Sequence, residues 1–317
     1  MPRILTVTLN PAIDISTSAE TVRPEDKLRC APPVLDAGGG GTNVARAIAH
    51  LGGQAQAFVA VAGFHGAQFV ELLRNDGVDP VIFETHGETR QSLAVIDRAT
   101  GQQYRFVMPG PDWTQDTADA ALDAIDAATP HGGVVVLSGS QPPGVPEDFP
   151  PRLAGRVEAR NATLVLDTSG PAMQALMQSG ALTRHVLRLD QAESEELAGK
   201  PLRTMDELAS FARHLVTRNV AGTVILALGA EGSVLANSAG CWHAVTPPVP
   251  VRSKVGAGDS FVGAFTLALS QGLPPEQALR HGVAAASAAV MSDATDLCVK
   301  ADVDRLLDSC ALQHLPC

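Results

Sequence analysis

Two hydrophobic rhythms alternate along the chain. Short runs rich in β-branched residues, Ile4 to Leu9, Ala57 to Ala62, Val134 to Leu137, Thr163 to Leu166, Val186 to Leu189 and Thr223 to Leu228, read as buried strands. Between them lie stretches whose apolar residues repeat at helical spacing, such as His65 to Asn75 and Met205 to Val216. Apolar strands alternating with amphipathic helices predict an α/β fold with a mainly parallel sheet covered on both faces. Two segments break the rhythm. Gln91 to Asp97 and Gln102 to Met108 alternate apolar and polar residues around Arg98-Ala99-Thr100-Gly101, which predicts a hairpin. Residues 23 to 36 alternate only patchily around prolines 24, 32 and 33, as an edge strand or a flap would. A hairpin inserted among βα units predicts a small sheet outside the main one, a candidate lid. A second hairpin joins Val234-Leu235-Ala236 to Trp242-His243-Ala244, and Gly282 to Met291 reads as a helix of small residues.

Glycines punctuate this pattern twice. Gly38-Gly39-Gly40-Gly41-Thr42-Asn43 runs into an alanine-rich helix that stops at Gly52-Gly53. The spacing matches neither a dinucleotide-binding fingerprint nor a Walker A loop. A run feeding so directly into a helix reads as close backbone approach to a ligand rather than as a flexible hinge. The second is Ser253-Lys254-Val255-Gly256-Ala257-Gly258-Asp259-Ser260, followed by apolar residues at Val262, Phe265 and Leu269. Here Gly256-Ala257-Gly258 reads as a tight turn opening a helix, with Asp259 in its first turn. Free N–H groups and the positive dipole end at a helix start suit an anion. An acid there either caps the helix or accepts a proton from a hydroxyl while the backbone holds transferred charge. Asp14 follows the first strand at Asn10-Pro11-Ala12-Ile13, where open α/β sheets place ligands; a turn-capping role is the alternative. Ser138-Gly139-Ser140 and Asp167-Thr168-Ser169-Gly170 end two further strands on the same side.

Composition narrows the classes. The 317 residues suffice for one large α/β domain or two smaller ones, and 45% hydrophobic content supports a substantial core. A formal net charge of −11 argues against nucleic acid as partner. Local basic clusters, Arg23, Lys27 and Arg29, then Arg90 and Arg105, leave room for a small anion. The 5 scattered cysteines suggest neither a metal site nor a disulfide framework and fit a reducing cytoplasm. There is no signal-peptide pattern and no apolar run of about 18 residues, so no membrane partner is expected.

These motifs together resemble the ribokinase-like (PfkB-type) sugar kinases. The glycine run with Asn43 and Arg46, the Gly256-Ala257-Gly258-Asp259 turn and Asp14 carry the likeness. Leu9 to Asp14, Lys27-Leu28-Arg29-Cys30, Gln103 to Gly110 and Ser138-Gly139-Ser140-Gln141-Pro142-Pro143-Gly144 resemble the phosphosugar kinase branch. The likeness runs from Arg3 to about Cys298. It implies one ribokinase-like three-layer α/β/α domain over 1–317, with lid strands at about 13–17, 28–36 and 90–108. It also implies transfer of the γ-phosphoryl group of MgATP to a sugar hydroxyl. Fructose 6-phosphate is the first candidate, with fructose 1-phosphate, tagatose 6-phosphate and a non-catalytic sugar or nucleotide sensor as alternatives.

By the same resemblance Asp259 is the catalytic base and Gly256, Ala257 and Gly258 form the anion hole. Asp14, Gly39, Asn43 and Ser140 hold the sugar, and Lys27, Arg90 and Arg105 hold its phosphate. Gly229 and Gly232 belong to the nucleotide loop. Arg188, Asp190 and Glu193 stand where the family has Lys, Asn and Glu around MgATP, with Glu193 on Mg²⁺ through water. Two carboxylates at 190 and 193 would hold Mg²⁺ more directly, unless Asp190 only caps the helix starting at Gln191. The segment 291–296 lacks the family's Gly and Arg, which puts activation by K⁺ in doubt. A homodimer paired through the small sheets is also implied.

Overall fold

The computed structural model describes residues 3–168, 175–177, 182–292 and 296–317. Among the described residues the main sheet has ten strands. Those predicted in the sequence are β1 (Ile4–Thr8), β4 (Gln56–Val61), β8 (Val134–Ser138), β9 (Thr163–Asp167), β10 (Leu182–Leu189), β11 (Ala221–Ala227), β12 (Ser233–Asn237) and β13 (Gly240–Ala244). Two more, β5 (Asp79–Glu84) and β14 (Leu312–Leu315), are sheet edges. A four-stranded sheet holds β2 (Ala12–Ala19), β3 (Val34–Gly38), β6 (Arg90–Asp97) and β7 (Gln103–Val107).

In the main sheet the order is β14-β13-β12-β11-β10-β9-β8-β1-β4-β5. Pairing is parallel from β11 to β5 and antiparallel from β11 to β14. From β1 the chain winds first through β4 to β5, then returns to β8 on the other side. The gap between β1 and β8 is therefore the topological switch point, where open sheets bind ligands.

Alternate residues of the same strands feed two cores. Leu5, Val7, Val135 and Leu137 pack with Phe149 and Leu153 on one face. Ile4, Val134 and Val136 pack with Val44, Ile48 and Phe265 on the other. This period of two is why the parallel strands read as continuous apolar runs.

The small sheet is ordered β3-β2-β6-β7. Its registers align Leu35 with Ile15, Ile15 with Leu93, and Leu93 with Phe106, which share one face. Asp14, Asp36 and Ser92 align on the opposite face, with Arg105 beside them. Asp14 lies inside β2, within the lid strand expected at about 13–17 and not in a turn, and Ile13 before it is fully buried in the core beneath. One expectation changes here. Of the segment 28–36 only Val34 onward forms a strand, apart from a bridge between Ala19 and Cys30.

The cysteine expectation also changes: Cys241 and Cys317 form a disulfide. Cys241 pairs with Leu315 across β13 and β14, so the strand pairing brings the two cysteines together. Nothing in their spacing announces that edge strand.

Buried His185 gives a pH signature. Its Nδ1 accepts from the Leu164 N–H at 3.1 Å, and its Nε2 donates to the Ala154 carbonyl at 3.2 Å. The Nδ1 bond requires the neutral ring, and burial holds its pKa below 6.5. His281 is shifted the same way by burial. The unfolded chain therefore binds more protons once pH falls below about 6.5, and stability is lost in that direction. Compared at pH 7.5 and 5.5, the melting temperature of His185→Gln should fall less, or rise more, than that of the parent. An equal change in both proteins would show that His185 is not the group responsible.

Candidate active site

The glycine run opens the helix Gly40–His50, and its glycines first make room for the protein itself. A Cβ on Gly38 would lie 2.1 Å from Asp14 Oδ2, one on Gly40 2.4 Å from Ser138 Oγ, and one on Gly41 2.3 Å from the Val7 carbonyl. Gly39 has φ 119 and packs against Thr8. The helix start thus settles directly onto the ends of β1 and β8, so the close approach shown here is to the protein itself, where the sequence predicts approach to a ligand.

This helix crosses Ala257–Ser270 at a second glycine. A Cβ on Gly263 would meet the Ala47 Cβ at 2.9 Å and the Val44 carbonyl at 3.2 Å. One turn earlier on each helix, Asn43 faces Asp259, and its Nδ2 donates to Asp259 Oδ2 at 2.9 Å. Gly256, with φ 75, caps the Ala257–Ser270 helix, and its neighbours Ala257, Gly258 and Asp259 form the first turn. The Asp259 carboxyl is pushed up to about 7, first by burial and then by the Asp167 carboxylate. A buried carboxylic acid near neutrality, at a helix start, has the properties of a general base.

Asp167, at the end of β9, was seen in the sequence but not assigned to the site. Ser138 Oγ donates to its Oδ2 at 3.0 Å, and Arg188 Nη1 donates to its Oδ1 at 2.6 Å. These side chains stand together because β8, β9 and β10 end in step: Ser138 pairs with Asp167, and Leu187 with Leu166. Burial opposes the Arg188 charge most strongly, but Asp167, Asp259 and Glu193 together outweigh it and the guanidinium pKa is raised. The guanidinium lies 5.4 Å over the Phe261 ring and borders Gly258. Arg188 is thus expected on the nucleotide but has one donor committed to Asp167 behind the anion-binding turn. An acid ending an apolar strand run was the available sequence signal for Asp167, as it was for Asp14.

Asp190 and Glu193 form a capping box on Gln191–Ala198. Glu193 N–H donates to Asp190 Oδ1, and Asp190 N–H donates to Glu193 Oε2, both at 2.8 Å. The cap uses one oxygen of each carboxylate, as the simpler of the two sequence readings has it. Burial raises the Glu193 carboxyl. Among the described residues no group of three or more His, Cys, Asp or Glu is arranged to hold a metal. Mg²⁺ in kinase sites is held by one or two carboxylates, water and the substrate phosphates, so Glu193 with one oxygen outside the cap fits a water-mediated contact.

Across the switch point, Asp14 is raised by burial, opposed by Arg90 and Arg105. Arg90 spends Nε and Nη2 on the Asn10 carbonyl, at 3.2 and 3.1 Å, and Nη1 on the Met108 carbonyl at 3.3 Å. It therefore ties the end of β7 to the loop after β1, besides facing Asp14. Ser140 accepts from Asn10 Nδ2 at 3.2 Å. Lys27 stands apart: it is exposed and lines a cavity with Glu20, Arg23 and Arg29.

Gly229 opens the turn Gly229–Glu231 with open space around its Cα. Gly232 has φ 102 and no room for a Cβ, which would lie 2.0 Å from the Ala244 carbonyl. Ser169, Gly170 and residues 293–295 of the segment in question for K⁺ lie outside the described residues.

Known proteins share this fold. The chain is 38% identical over 306 residues to the ATP-dependent 6-phosphofructokinase isozyme 2 of Escherichia coli, covering 96% of this chain and 98% of that protein. Phosphofructokinase-2 from Escherichia coli in complex with fructose-6-phosphate superposes with a TM-score of 0.89 at 37% identity, over 98% of this chain and 99% of that one. The same enzyme in complex with potassium superposes with a TM-score of 0.90, at the same identity and coverage. Residues 7–302, which span every side chain of the switch-point site, match the pfkB family of carbohydrate kinases. The chain belongs to that family.

Proposed function

We propose that this protein transfers the γ-phosphoryl group of ATP to the free primary hydroxyl of fructose 6-phosphate, releasing ADP and fructose 1,6-bisphosphate. The observation that carries this reading is Asp259. It is a buried carboxyl pushed up to about 7, beside the N–H groups of Gly256–Gly258 and near enough to Asp14 for their charges to interact, while Arg90 and Arg105 act on Asp14 in turn. Asp259 takes the hydroxyl proton, and the first-turn N–H groups hold the charge on the transferring phosphoryl. Asp14, Gly39, Asn43 and Ser140 hold the sugar; Arg105 and Arg90 hold its phosphate. Arg188, Asp190, Gly229 and Gly232 border the nucleotide, and Mg²⁺, held at Glu193 through water, neutralises phosphate charge when bound. The likeness to a potassium-bound relative keeps K⁺ as a second cation. The reaction belongs in the cytoplasm, where both substrates are made. An ADP-release assay over fructose 6-phosphate, fructose 1-phosphate, tagatose 6-phosphate and the unphosphorylated sugars tests the reading. Fructose 6-phosphate should give the highest kcat/KM, and preference for an unphosphorylated sugar would refute it.

Arg105 is a sharper probe of the phosphate subsite than Arg90, whose donors also hold main-chain carbonyls. Charged hydrogen bonds contribute about 1.5–3 kcal/mol. Arg105→Ala should therefore raise the KM for fructose 6-phosphate roughly ten-fold or more with little change in that for ATP. An unchanged KM would place the sugar phosphate elsewhere.

We also infer a homodimer. Phe106 is 52% and Val107 63% exposed at the outer edge of the small sheet. An exposed apolar strand of this kind is normally covered, and a second copy is the occupant the small sheet suits. Sedimentation at micromolar concentration should give about twice the mass of the chain; a monomer there would contradict this.

A further inference from the structure

Asn43 can face Asp259 with either end of its amide, and only one end helps a carboxylate. The structure shows what selects it. Arg46, one turn along the same helix, brings Nη1 to 3.4 Å from Asn43 Oδ1. A guanidinium only donates and a carboxylate only accepts, so the amide between them has one permitted orientation. Its oxygen faces Arg46 and its NH₂ faces Asp259. Arg46 is itself gripped from two other elements. Its Nη2 lies 3.4 Å from Asp36 on β3, and its Nε lies 2.6 Å from Asp76, which caps the helix Gly63–Asn75. Only 8% of its surface is exposed.

We propose that Arg46 is a positioning residue for the base: acting through Asn43, it fixes the oxygen of Asp259 that is held and leaves the other to the acceptor hydroxyl. This rests on the phosphotransfer reading of the same site. It explains why an arginine is buried one turn after Asn43, near the catalytic turn. The charged groups around the pair are Asp14, Asp167 and Arg188 about Asp259, and Asp14, Asp36 and Asp76 about Arg46.

Arg46→Lys keeps a cation between Asp36 and Asp76 but removes the planar fork. A misaligned base is expected to lower kcat about ten-fold or more, with the KM values moved by less than about two-fold. The acid limb of the pH profile should move upward, because the ionised carboxylate loses an oriented donor. The same substitution on an Asn43→Ala background should add no further loss, since Arg46 acts through Asn43. Additive losses, or an unmoved acid limb, would overturn the proposal. If Arg46→Lys does not fold, Asp76→Asn loosens the same guanidinium from the helix end and is judged by the same criteria. A carboxyl-carbon NMR titration of Asp259, assigned with Asp259→Asn, follows the shift without substrate. If the parent enzyme turns over no phosphosugar, the functional reading falls, while this titration still decides the role of Arg46.

Discussion

Asp259→Asn is expected to lower kcat by roughly 10²–10⁴-fold, the usual contribution of a positioned base. The substitution keeps the volume of the side chain and an oxygen for the Asn43 amide. It removes only the ability to take a proton. In the parent enzyme the carboxyl titrates at about 7, chiefly because it is buried and secondarily because Asp167 is near. The deprotonated form is the active one, so turnover should rise as pH climbs through about 7, and the variant should lose that limb. The sign for stability runs the other way. A carboxyl whose folded pKa is raised above its unfolded value makes the fold less stable as pH rises from about 4 to 7. The variant should therefore melt no lower than the parent at pH 8. A folded Asp259→Asn protein with more than about a tenth of the parent turnover would remove Asp259 from its role.

Asp167→Ala should have the largest effect on stability. It strips the carboxylate from Arg188, whose side chain is only 13% exposed, and leaves Ser138 Oγ without its acceptor. Breaking a buried ion pair from one side costs about 3–5 kcal/mol, because the remaining charge is uncompensated. The double variant Asp167→Ala, Arg188→Leu should recover much of that loss, since apolar replacement of a whole buried pair is often neutral. Urea unfolding of the three proteins checks both statements. A loss below about 1 kcal/mol in Asp167→Ala would mean that Arg188 is solvated in place. In the same single variant the acid limb set by Asp259 should move to lower pH, because a neighbouring negative charge is gone.

The parallel part of the sheet was legible because it is buried on both faces, which writes its strands as unbroken apolar runs. The edges were not. β5 carries Pro80 and a half-exposed pattern, and β14 is four residues between polar flanks, so neither has the periodicity of a strand. The disulfide was hidden for the same reason, since it depends on β14 pairing with β13. In the site, Asp259 and Asp14 were legible because glycines or a strand end mark them. Arg46 and Asp167 were not assigned, because their roles arise from contacts between elements far apart in sequence. Asn43 and Asp259, separated by 216 positions, meet only where Gly263 lets two helices cross. The four-glycine run signals close approach to a ligand, but the partners that crowd it are the protein's own Asp14, Ser138 and Val7.

The central claim is phosphorylation of a sugar phosphate at its free primary hydroxyl by the corner that holds Asp259. Phosphorus NMR of the products formed from ATP and fructose 6-phosphate measures it most directly. The account expects ADP and a second phosphate monoester on the sugar, at carbon 1, in equal amounts and at a rate that collapses in Asp259→Asn. ADP appearing with inorganic phosphate alone, or a sugar product formed equally fast by the Asp259→Asn protein, would contradict it.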